Sequence, residues 1–219
     1  MIPPETRYDD VLEPLRSAYD GRAAWRDQHV KEEWKLAERQ AFRDRLTPGA
    51  RLLEIGAGTG QDSAFFQASG LTVMAADLSP EMVAHCKTKG IDAYEMDFLH
   101  LNFPAASFDA VYALNCLLHV PNRDLSSVLA AVRELLRPGG LFFIGVYGGE
   151  TNFEGPLDGD EHVPPRFFSW RTDARLLEFA TEAGFEVVDF HPLELGGGRR
   201  FQSLTLSPNQ RLSPNQRPR

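Results

Sequence analysis

Leu53-Glu54-Ile55-Gly56-Ala57-Gly58-Thr59-Gly60 is the most informative segment of this 219-residue chain. It begins inside a short apolar run, residues 51–55, and continues into three glycines at alternate positions. This pattern is typical of a buried strand that turns directly into a helix, and the turn needs torsions that glycine tolerates. A side chain there would also block a ligand from the backbone. The segment therefore predicts a ligand site, without distinguishing one ligand from another.

On both sides of this segment, short apolar runs alternate with amphipathic helical patterns, as in a parallel sheet covered on both faces. We predict strands at residues 51–55, 71–76, 91–96, 108–114 and 141–147, and helices at residues 60–69, 80–89, 124–136 and 172–183. Two last strands, 185–191 and 200–206, are expected to pair antiparallel at the sheet edge. The predicted fold class is α/β, with a Rossmann-like, doubly wound, mainly parallel seven-stranded sheet, helices on both faces and an antiparallel edge strand.

Three other regions depart from this repeating pattern. Residues 1–48 have helical, amphipathic patterns, and their apolar positions at approximately helical spacing are Trp25, Val30, Trp34, Ala37, Ala41 and Phe42. Residues 148–165 are rich in glycine, proline and acidic residues, so a lid or acceptor-binding insertion is expected within residues 148–170. Residues 207–219 hold most of a duplicated polar hexapeptide, Leu-Ser-Pro-Asn-Gln-Arg, and are expected to form a disordered tail.

Composition and charge favour some classes of protein over others. No apolar run approaches the roughly 20 residues that span a bilayer, and the first residues lack the pattern of a signal peptide. Two cysteines are too few for a disulfide framework, so a cytoplasmic protein is expected, as a monomer or a homodimer. The net charge of −8 disfavours binding to a nucleic-acid backbone and favours a small-molecule partner.

Acidic residues at the ends of three predicted strands narrow the choice of ligand. Asp77 lies where a carboxylate accepts hydrogen bonds from ribose hydroxyls. Asp97 and Phe98 offer an acceptor and a ring for adenine. Glu54 suits an ammonium group or an ordered water and would repel a diphosphate. Because Gln61 stands where a dinucleotide fingerprint has its third glycine, we expect a nucleoside with a cationic amino-acid tail.

In order and spacing, these motifs resemble the class I S-adenosylmethionine-dependent methyltransferase family over residues 49–206. The resemblance rests on residues 53–60, Ala76-Asp-Leu-Ser79 with Met82, Met96-Asp-Phe98, Phe108-Asp-Ala-Val111, Asn115-Cys-Leu-Leu-His-Val-Pro121 and Leu136-Arg-Pro-Gly-Gly140. It implies that residues 49–206 form the methyltransferase domain and that S-adenosylmethionine is the cofactor. It also implies that residues 1–48 form a helical cap over the site, as in members that act on small molecules.

The resemblance further implies a set of cofactor-binding residues. Asp77 is implied to hold the ribose diol, and Asp97 with Phe98 the adenine. Asn115 is implied to lie near the methionine group and the sulfonium. The remaining members are the glycine turn, the apolar walls and a lid contact, namely Gly56, Ala57, Gly58 and Gly60, then Leu78, Met82 and Leu117, and finally Tyr19.

Catalytic residues are indicated less directly than binding residues. His119 is a candidate base because histidine titrates near neutrality, and Tyr147 is a candidate because it ends the fifth strand, although packing roles explain both equally well. His162, inside the predicted lid, is a further candidate. Asp109 lies within its strand and is expected to be structural. The acidic residues of the lid are expected to be solvated: Glu150, Glu154, Asp158, Asp160 and Glu161.

We therefore expect a methyltransferase that acts by in-line methyl transfer on a small-molecule acceptor. A sulfonium methyl is already activated, so neither a metal nor a covalent intermediate is needed, and a general base is optional. Three alternatives stay open. They are a nucleic-acid or protein methyltransferase, a nicotinamide-dependent oxidoreductase, and a cofactor-binding protein without transferase activity.

Overall fold

The structure is a computed structural model that describes residues 6–196 and 199–209. The helices in these residues are α1 (Tyr8–Asp20), α2 (Ala23–Gln28), α3 (Glu33–Asp44), α4 (Gln61–Ala68), α5 (Pro80–Thr88), α6 (Asn122–Leu135) and α7 (Asp173–Glu182). The strands are β1 (Arg51–Ile55), β2 (Thr72–Asp77), β3 (Asp92–Glu95), β4 (Phe108–Leu114), β5 (Leu136–Gly149), β6 (Phe153–Pro156), β7 (Phe167–Trp170), β8 (Phe185–Glu194) and β9 (Arg199–Pro208).

Seven strands form one sheet in the order β3-β2-β1-β4-β5-β9-β8, which confirms the predicted α/β fold. In β1, Leu53 lies opposite Met74 on one side and Val111 on the other, and both pairings are parallel. The predicted antiparallel pair is also present, because β9 runs antiparallel to β5 and to β8. The edge strand is β8, so the antiparallel strand itself lies one place inside the sheet.

Apolar side chains cover both faces of the sheet and hold the strand ends in place. Leu52 of β1 belongs to a cluster with Phe42 of α3 and Phe66 of α4, whereas Leu53 packs on the other face. This alternation follows from the two-residue period of a strand. On the Leu52 face, the ring of Tyr112 lies 4.8 Å from a neighbouring phenylalanine ring, with the planes 11° apart. The central parallel strands β1 and β4 are therefore buried on both faces, as their continuous apolar sequences predict.

The cap helices do not use the apolar face that the sequence predicts. Four of the predicted apolar positions are exposed: Trp25, Val30, Ala37 and Ala41. Phe42 is buried and Trp34 is half-buried. The predicted positions are spread over two separate helices, α2 and α3, and residues 29–32 between them, so they do not share one face. α3 also buries Glu38, whose carboxylate accepts a hydrogen bond from Ser203 Oγ at 2.5 Å and pairs with His191 Nε2 at 3.0 Å. A buried carboxylate with polar partners interrupts the hydrophobic pattern on which the prediction relied.

The predicted lid and tail contain more strand than expected. β6 and β7, both within residues 148–170, form a separate antiparallel pair in which Phe153 lies opposite Trp170. At the other end, β9 continues to Pro208, two residues into the predicted tail, while residues 210–219 lie outside the described residues. The structure has no helix, among the residues that it describes, with the length and apolar character needed to cross a membrane.

Candidate functional site

Two adjoining cavities lie at the carboxyl ends of β1, β2 and β4, under the cap helices. The larger has a volume of about 240 Å³ and the smaller of about 50 Å³. Six residues line both of them: Tyr19, Arg26, Gly56, Gly58, Leu114 and Asn115. The cavities therefore form one site. It lies where the strand order reverses between β1 and β4, the position at which open α/β sheets bind ligands.

Gly56 and Gly58 serve the strand-to-helix turn in different ways. Both have left-handed φ angles, +63° and +56°. A Cβ atom on Gly56 would lie 2.3 Å from Cβ of Cys116, so this glycine lets the turn pack against the chain after β4. A Cβ atom on Gly58 would meet nothing within 4 Å. Gly58 therefore provides the open approach to the backbone that the sequence predicts for a ligand.

Asp77 ends β2 in the wall of the smaller cavity. Its Oδ2 accepts a hydrogen bond from the N–H of Gly58 at 2.7 Å, and its Oδ1 accepts one from the N–H of Ser79 at 2.9 Å. Burial raises the pKa of the carboxyl to about 6, although the two hydrogen bonds oppose this shift. The predicted neighbours in the same wall are Leu78, Met82 and Phe98. The acid, the turn and the apolar wall are thus in one place.

Tyr8 of α1 narrows the smaller cavity from the cap side. Its ring is buried and stacks on Phe98, with the centroids 5.9 Å apart and the planes 9° apart. The N–H of Tyr8 donates to Asp124 Oδ2 at 2.7 Å, which ties the start of α1 to α6. The first helix of the cap therefore covers this end of the site.

Glu54 ends β1 in the wall of the larger cavity and is almost completely buried. Its carboxyl accepts a hydrogen bond from the hydroxyl of Ser63. Burial, together with the nearby charge of Asp62, raises the pKa of Glu54 to about 8, so the group is protonated at neutral pH. Asp62 is paired with Lys31 and Arg39 of the cap. A cation entering the cavity would favour ionised Glu54.

Asn115 has a buried side-chain oxygen with no hydrogen-bond partner among the described residues. Its backbone has φ of +55°, and its N–H donates to the carbonyl of Gly145 at 2.7 Å. Its side-chain Oδ1 is buried, and no donor among the described residues reaches it. Buried carbonyl oxygens are normally hydrogen-bonded, because leaving one unpaired costs about 1–3 kcal/mol. Since Asn115 lines both cavities, a ligand donor is the expected partner.

A hydrogen-bonded chain joins the cap to the lid at the junction of the two cavities. The hydroxyl of Tyr19 lies 2.7 Å from His119 Nε2, and Arg166 Nη1 donates to the same hydroxyl at 3.1 Å. His119 Nδ1 lies 2.6 Å from the carbonyl of Phe167. Burial lowers the pKa of His119 to about 3, with a smaller effect from Arg166, so the imidazole is neutral. His119 thus contacts Tyr19 and has little capacity to take up a second proton.

Tyr147, the other candidate base, lies in the wall of the larger cavity. The ammonium group of Lys35 lies 5.1 Å from the centroid of its ring and also pairs with Glu32 at 2.9 Å. The ring of Trp34 approaches Tyr147 edge-on, with the centroids 6.5 Å apart. Side chains of α3 and the end of β5 therefore form this wall together.

Comparison with known proteins identifies the family. Residues 52–140 match a family model described as a methyltransferase domain. The crystal structure of the Burkholderia thailandensis 1,6-didemethyltoxoflavin-N1-methyltransferase, with bound 1,6-didemethyltoxoflavin and S-adenosylhomocysteine, superposes with a TM-score of 0.77 at 25% identity. That likeness covers 95% of this chain and 93% of the other. Residues 52–140 of this chain are a methyltransferase domain of the class I S-adenosylmethionine-dependent family.

The curated proteins that are similar to this chain are named as methyltransferases of several kinds. A 24-methylenesterol C-methyltransferase 2 from Oryza sativa subsp. japonica is 32% identical over 168 residues, which is 69% of this chain and 45% of that protein. A phosphatidylethanolamine N-methyltransferase from Cereibacter sphaeroides is 29% identical over 68% of this chain and 76% of that protein. The chain spans 30% to 45% of the length of the first curated relatives that it matches.

Several residues that were predicted to bind the cofactor lie outside the walls of both cavities. Asp97 accepts hydrogen bonds from the N–H of Leu99 at 2.8 Å and from His100, so its carboxylate is occupied by its own turn. Leu117 is buried in the core, and its neighbour Leu118 lines the larger cavity. Gly60 lines neither cavity. The binding roles proposed for these residues stay predictions.

Two other expectations concern acids away from the cavities. Asp109 accepts hydrogen bonds from the N–H of Arg51 at 2.8 Å and from Arg137 at 2.6 Å, which fits the structural role expected for it. Asp160 was expected to be solvated, and that was wrong. Its side chain is 3% exposed and pairs with Arg166 and His162. Burial would raise the pKa of Asp160, but the hydrogen bonds and charge of Arg166 outweigh burial and hold it below its usual value.

Sequence reasoning missed many side chains in the walls of the site, and three of them illustrate why. Arg26 of α2 lines both cavities, while Arg166 and Phe168 of the lid segment line the larger one. A single arginine in a helix or a loop has no sequence pattern that separates it from an ordinary surface residue. The signal in the sequence was the position of Phe168 in a short apolar run inside the predicted lid.

Proposed function

We propose that this protein transfers the methyl group of S-adenosylmethionine to a small-molecule acceptor. The observation that carries the proposal is the arrangement of two buried carboxyl groups at the two ends of one site. Asp77 lies in the smaller cavity and Glu54 in the larger, and the open Gly58 turn lies between them. A nucleoside with a cationic amino-acid tail would place its ribose hydroxyls at Asp77 and its ammonium group at Glu54.

The residues present fit this cofactor. Asp77 would accept hydrogen bonds from the ribose hydroxyls, and Leu78, Met82 and Phe98 would contact the adenine. At the other end, the unpaired Oδ1 of Asn115 and the carboxyl of Glu54 would accept hydrogen bonds from the ammonium group. Gly58 leaves the space that the chain of the cofactor needs.

Catalysis on this proposal is a matter of position. When bound, the cofactor supplies a methyl group that is already activated on a positively charged sulfur. The walls of the larger cavity hold the acceptor in line with that methyl group, and the cap excludes water. Such positioning contributes roughly 7–11 kcal/mol to lowering a barrier. The neutral, hydrogen-bonded state of His119 supports a role in holding Tyr19, not one as a general base.

A small-molecule acceptor is supported by the size and cover of the site and by the relatives. The larger cavity has a volume of about 240 Å³ and is covered by the cap. The names of several relatives specify sterol, ubiquinone biosynthesis or toxoflavin chemistry. Because this protein has a net charge of −8, nucleic acid is a poor acceptor for it. We further propose a cytoplasmic monomer or homodimer, and the two buried free cysteines support a reducing location.

Calorimetric titration tests the cofactor first. S-adenosylhomocysteine is expected to bind, and NAD is expected not to bind. Tight binding of NAD alone would favour the oxidoreductase alternative. Incubation with S-adenosylmethionine labelled in its methyl group and a metabolite extract, followed by mass spectrometry, then tests transfer. Label in a small molecule is expected. Label only in protein or nucleic acid would favour those acceptors, and binding without transfer would favour a cofactor-binding protein.

A further inference from the structure

We propose that Tyr19 is a specificity-determining residue that accepts a hydrogen bond from an N–H or O–H group of the acceptor and so orients it, and that the acceptor is a flat ring compound carrying such a group. The proposal rests on the function proposed above and deepens it. It depends on three features of the site, namely the direction of each hydrogen bond at Tyr19, the position of Tyr19, and the aromatic wall of the larger cavity.

The direction of the hydrogen bond between Tyr19 and His119 follows from Phe167. A carbonyl oxygen only accepts, so His119 Nδ1, 2.6 Å from the carbonyl of Phe167, must carry the proton. The ring is neutral because its burial opposes a positive charge. His119 Nε2 therefore has a free lone pair. The hydroxyl of Tyr19, 2.7 Å away, must donate its only proton to that lone pair.

Arg166 fixes a second position on the same oxygen. Its Nη1 donates to the hydroxyl of Tyr19 at 3.1 Å, and an arginine can only donate. Arg166 is in turn held by Asp160, with Nη2 and Oδ1 2.9 Å apart. The oxygen of Tyr19 has one proton and two lone pairs, of which the proton and one lone pair are occupied. The one remaining interaction that Tyr19 offers a ligand is as a hydrogen-bond acceptor.

Tyr19 lies where the two cavities meet. It is one of the residues that line both cavities, together with Gly58 and Asn115. The larger cavity extends from there to Tyr147 and Phe168. A group that lies at this junction is within reach of both the cofactor end and the acceptor end of the site.

Two aromatic side chains, Tyr147 and Phe168, lie in the wall of the larger cavity among charged side chains of both signs, and these two rings suit a flat molecule. Phe168 is covered by the guanidinium group of Arg166, 4.9 Å from its ring centroid. Tyr147 has the ammonium group of Lys35 at 5.1 Å from its ring centroid. Aromatic walls of this kind favour the stacking or edge contacts of another ring. A C–H group is a weak donor and would leave the oxygen of Tyr19 poorly satisfied, so flat acceptors without an N–H or O–H group fit less well.

Matched pairs of ring compounds test the proposal by binding. The probes are indole with N-methylindole and naphthol with methoxynaphthalene, titrated by ligand-observed NMR with and without S-adenosylhomocysteine. The wild-type protein is expected to bind the N–H or O–H member of each pair about fivefold to tenfold more tightly. Tyr19→Phe should abolish this preference, because it removes the hydroxyl and keeps the ring. Tyr94→Phe is the matched control, since Tyr94 lies on β3 outside both cavities, and it should keep the preference.

Each possible result decides the proposal. An equal affinity for both members in the wild type, the same preference in Tyr19→Phe, or no binding of any probe overturns it. So does nitrogen-15 NMR that finds the proton of His119 on Nε2. Failure of S-adenosylhomocysteine to bind would instead overturn the proposed function, while the titrations without it still report on Tyr19.

Discussion

Asp77 links the glycine turn to the predicted ribose site, so its removal is the most direct test at a single residue. We predict that Asp77→Ala lowers the affinity for S-adenosylhomocysteine at least about tenfold. Hydrogen bonds to a charged group contribute about 1.5–3 kcal/mol each, and the variant loses those made to the ribose. It also loses the bond that holds the N–H of Gly58. Calorimetric titration measures the change. Asp92→Ala, at an exposed position on β3, is the control, and an unchanged affinity in Asp77→Ala would refute the assignment.

Glu54 makes the stability of the free protein depend on pH. Its pKa is about 8 in the folded state against 4.5 for an ordinary glutamate, because of burial and the charge of Asp62. Between those values the folded state keeps a proton that the unfolded chain releases. The contribution of Glu54 to the free energy of unfolding is therefore fully present below pH 4.5 and is lost as the pH rises through about 8. The amount is on the order of a few kcal/mol.

The variant Glu54→Gln is predicted to be more stable than the wild type at pH 9, since glutamine stays neutral in the same position. Thermal unfolding without ligand, measured from pH 6 to pH 9, checks this. Glu95→Gln, with an exposed side chain on β3, should unfold like the wild type. A wild-type protein whose unfolding temperature rises over this range, with no difference from Glu54→Gln, would contradict the buried, protonated state of Glu54.

In the turn between β1 and α4, Gly56 is needed for folding and Gly58 for binding. Gly56→Ala is predicted to destabilise the fold by about 2–5 kcal/mol, because its Cβ would overlap Cys116 and its φ is left-handed. Gly58→Ala is expected to cost only about 1–2 kcal/mol of backbone strain, since its Cβ meets no atom within 4 Å. It should nevertheless weaken binding of S-adenosylhomocysteine, because the Cβ takes space in the cavity. Denaturant unfolding and calorimetry on both variants measure the two effects, and equal stability losses would contradict this division.

The elements that could be predicted from sequence are those with a simple hydrophobic period. β1 and β4 were predicted with the bounds that the structure gives them, because buried parallel strands are continuous apolar runs. The cap was harder to predict. Glu38 lies on the buried side of α3, and its partners His191 and Ser203 are more than 150 positions away. A pattern within one helix cannot show that a carboxylate has such partners.

The same limit applies to the site at the scale of the whole molecule. Glu54 and Asp77 could be predicted because strand ends meet at one edge of a parallel sheet, and Asn115 was implied by the family resemblance. Each of the three lies in a cavity wall. The chain from Arg166 through Tyr19 to His119 joins three distant segments. Sequence indicated Tyr19 and His119 as separate candidates but could not place them in contact. Arg166 had no signal at all.

The cap is attached to the α/β domain by contacts of unequal strength, which predicts where the molecule opens. α1 buries Tyr8, Val11, Leu15 and Ala18, whereas α2 buries only Ala23. Polar contacts also attach α2 to the domain: Asp27 pairs with Lys89 at the end of α5 at 2.5 Å, and the side-chain amide of Gln61 donates to the carbonyls of Asp27 at 3.2 Å and His29 at 3.1 Å. α2 also brings Arg26 to both cavities. We therefore expect α2 to be the part of the cap that moves when a ligand enters.

Hydrogen exchange measured by mass spectrometry tests this expectation. Amides of α2 should exchange faster than those of α7, which is anchored by the buried Phe179, and S-adenosylhomocysteine should slow exchange in α2 only. Gln61→Ala should speed exchange in α2 further, because it frees the carbonyls at the end of that helix. Gln67→Ala removes an exposed amide from the same helix, α4, and should leave α2 unchanged. If both variants exchange alike, the cap opens elsewhere, and Gln61 does not control access to the site.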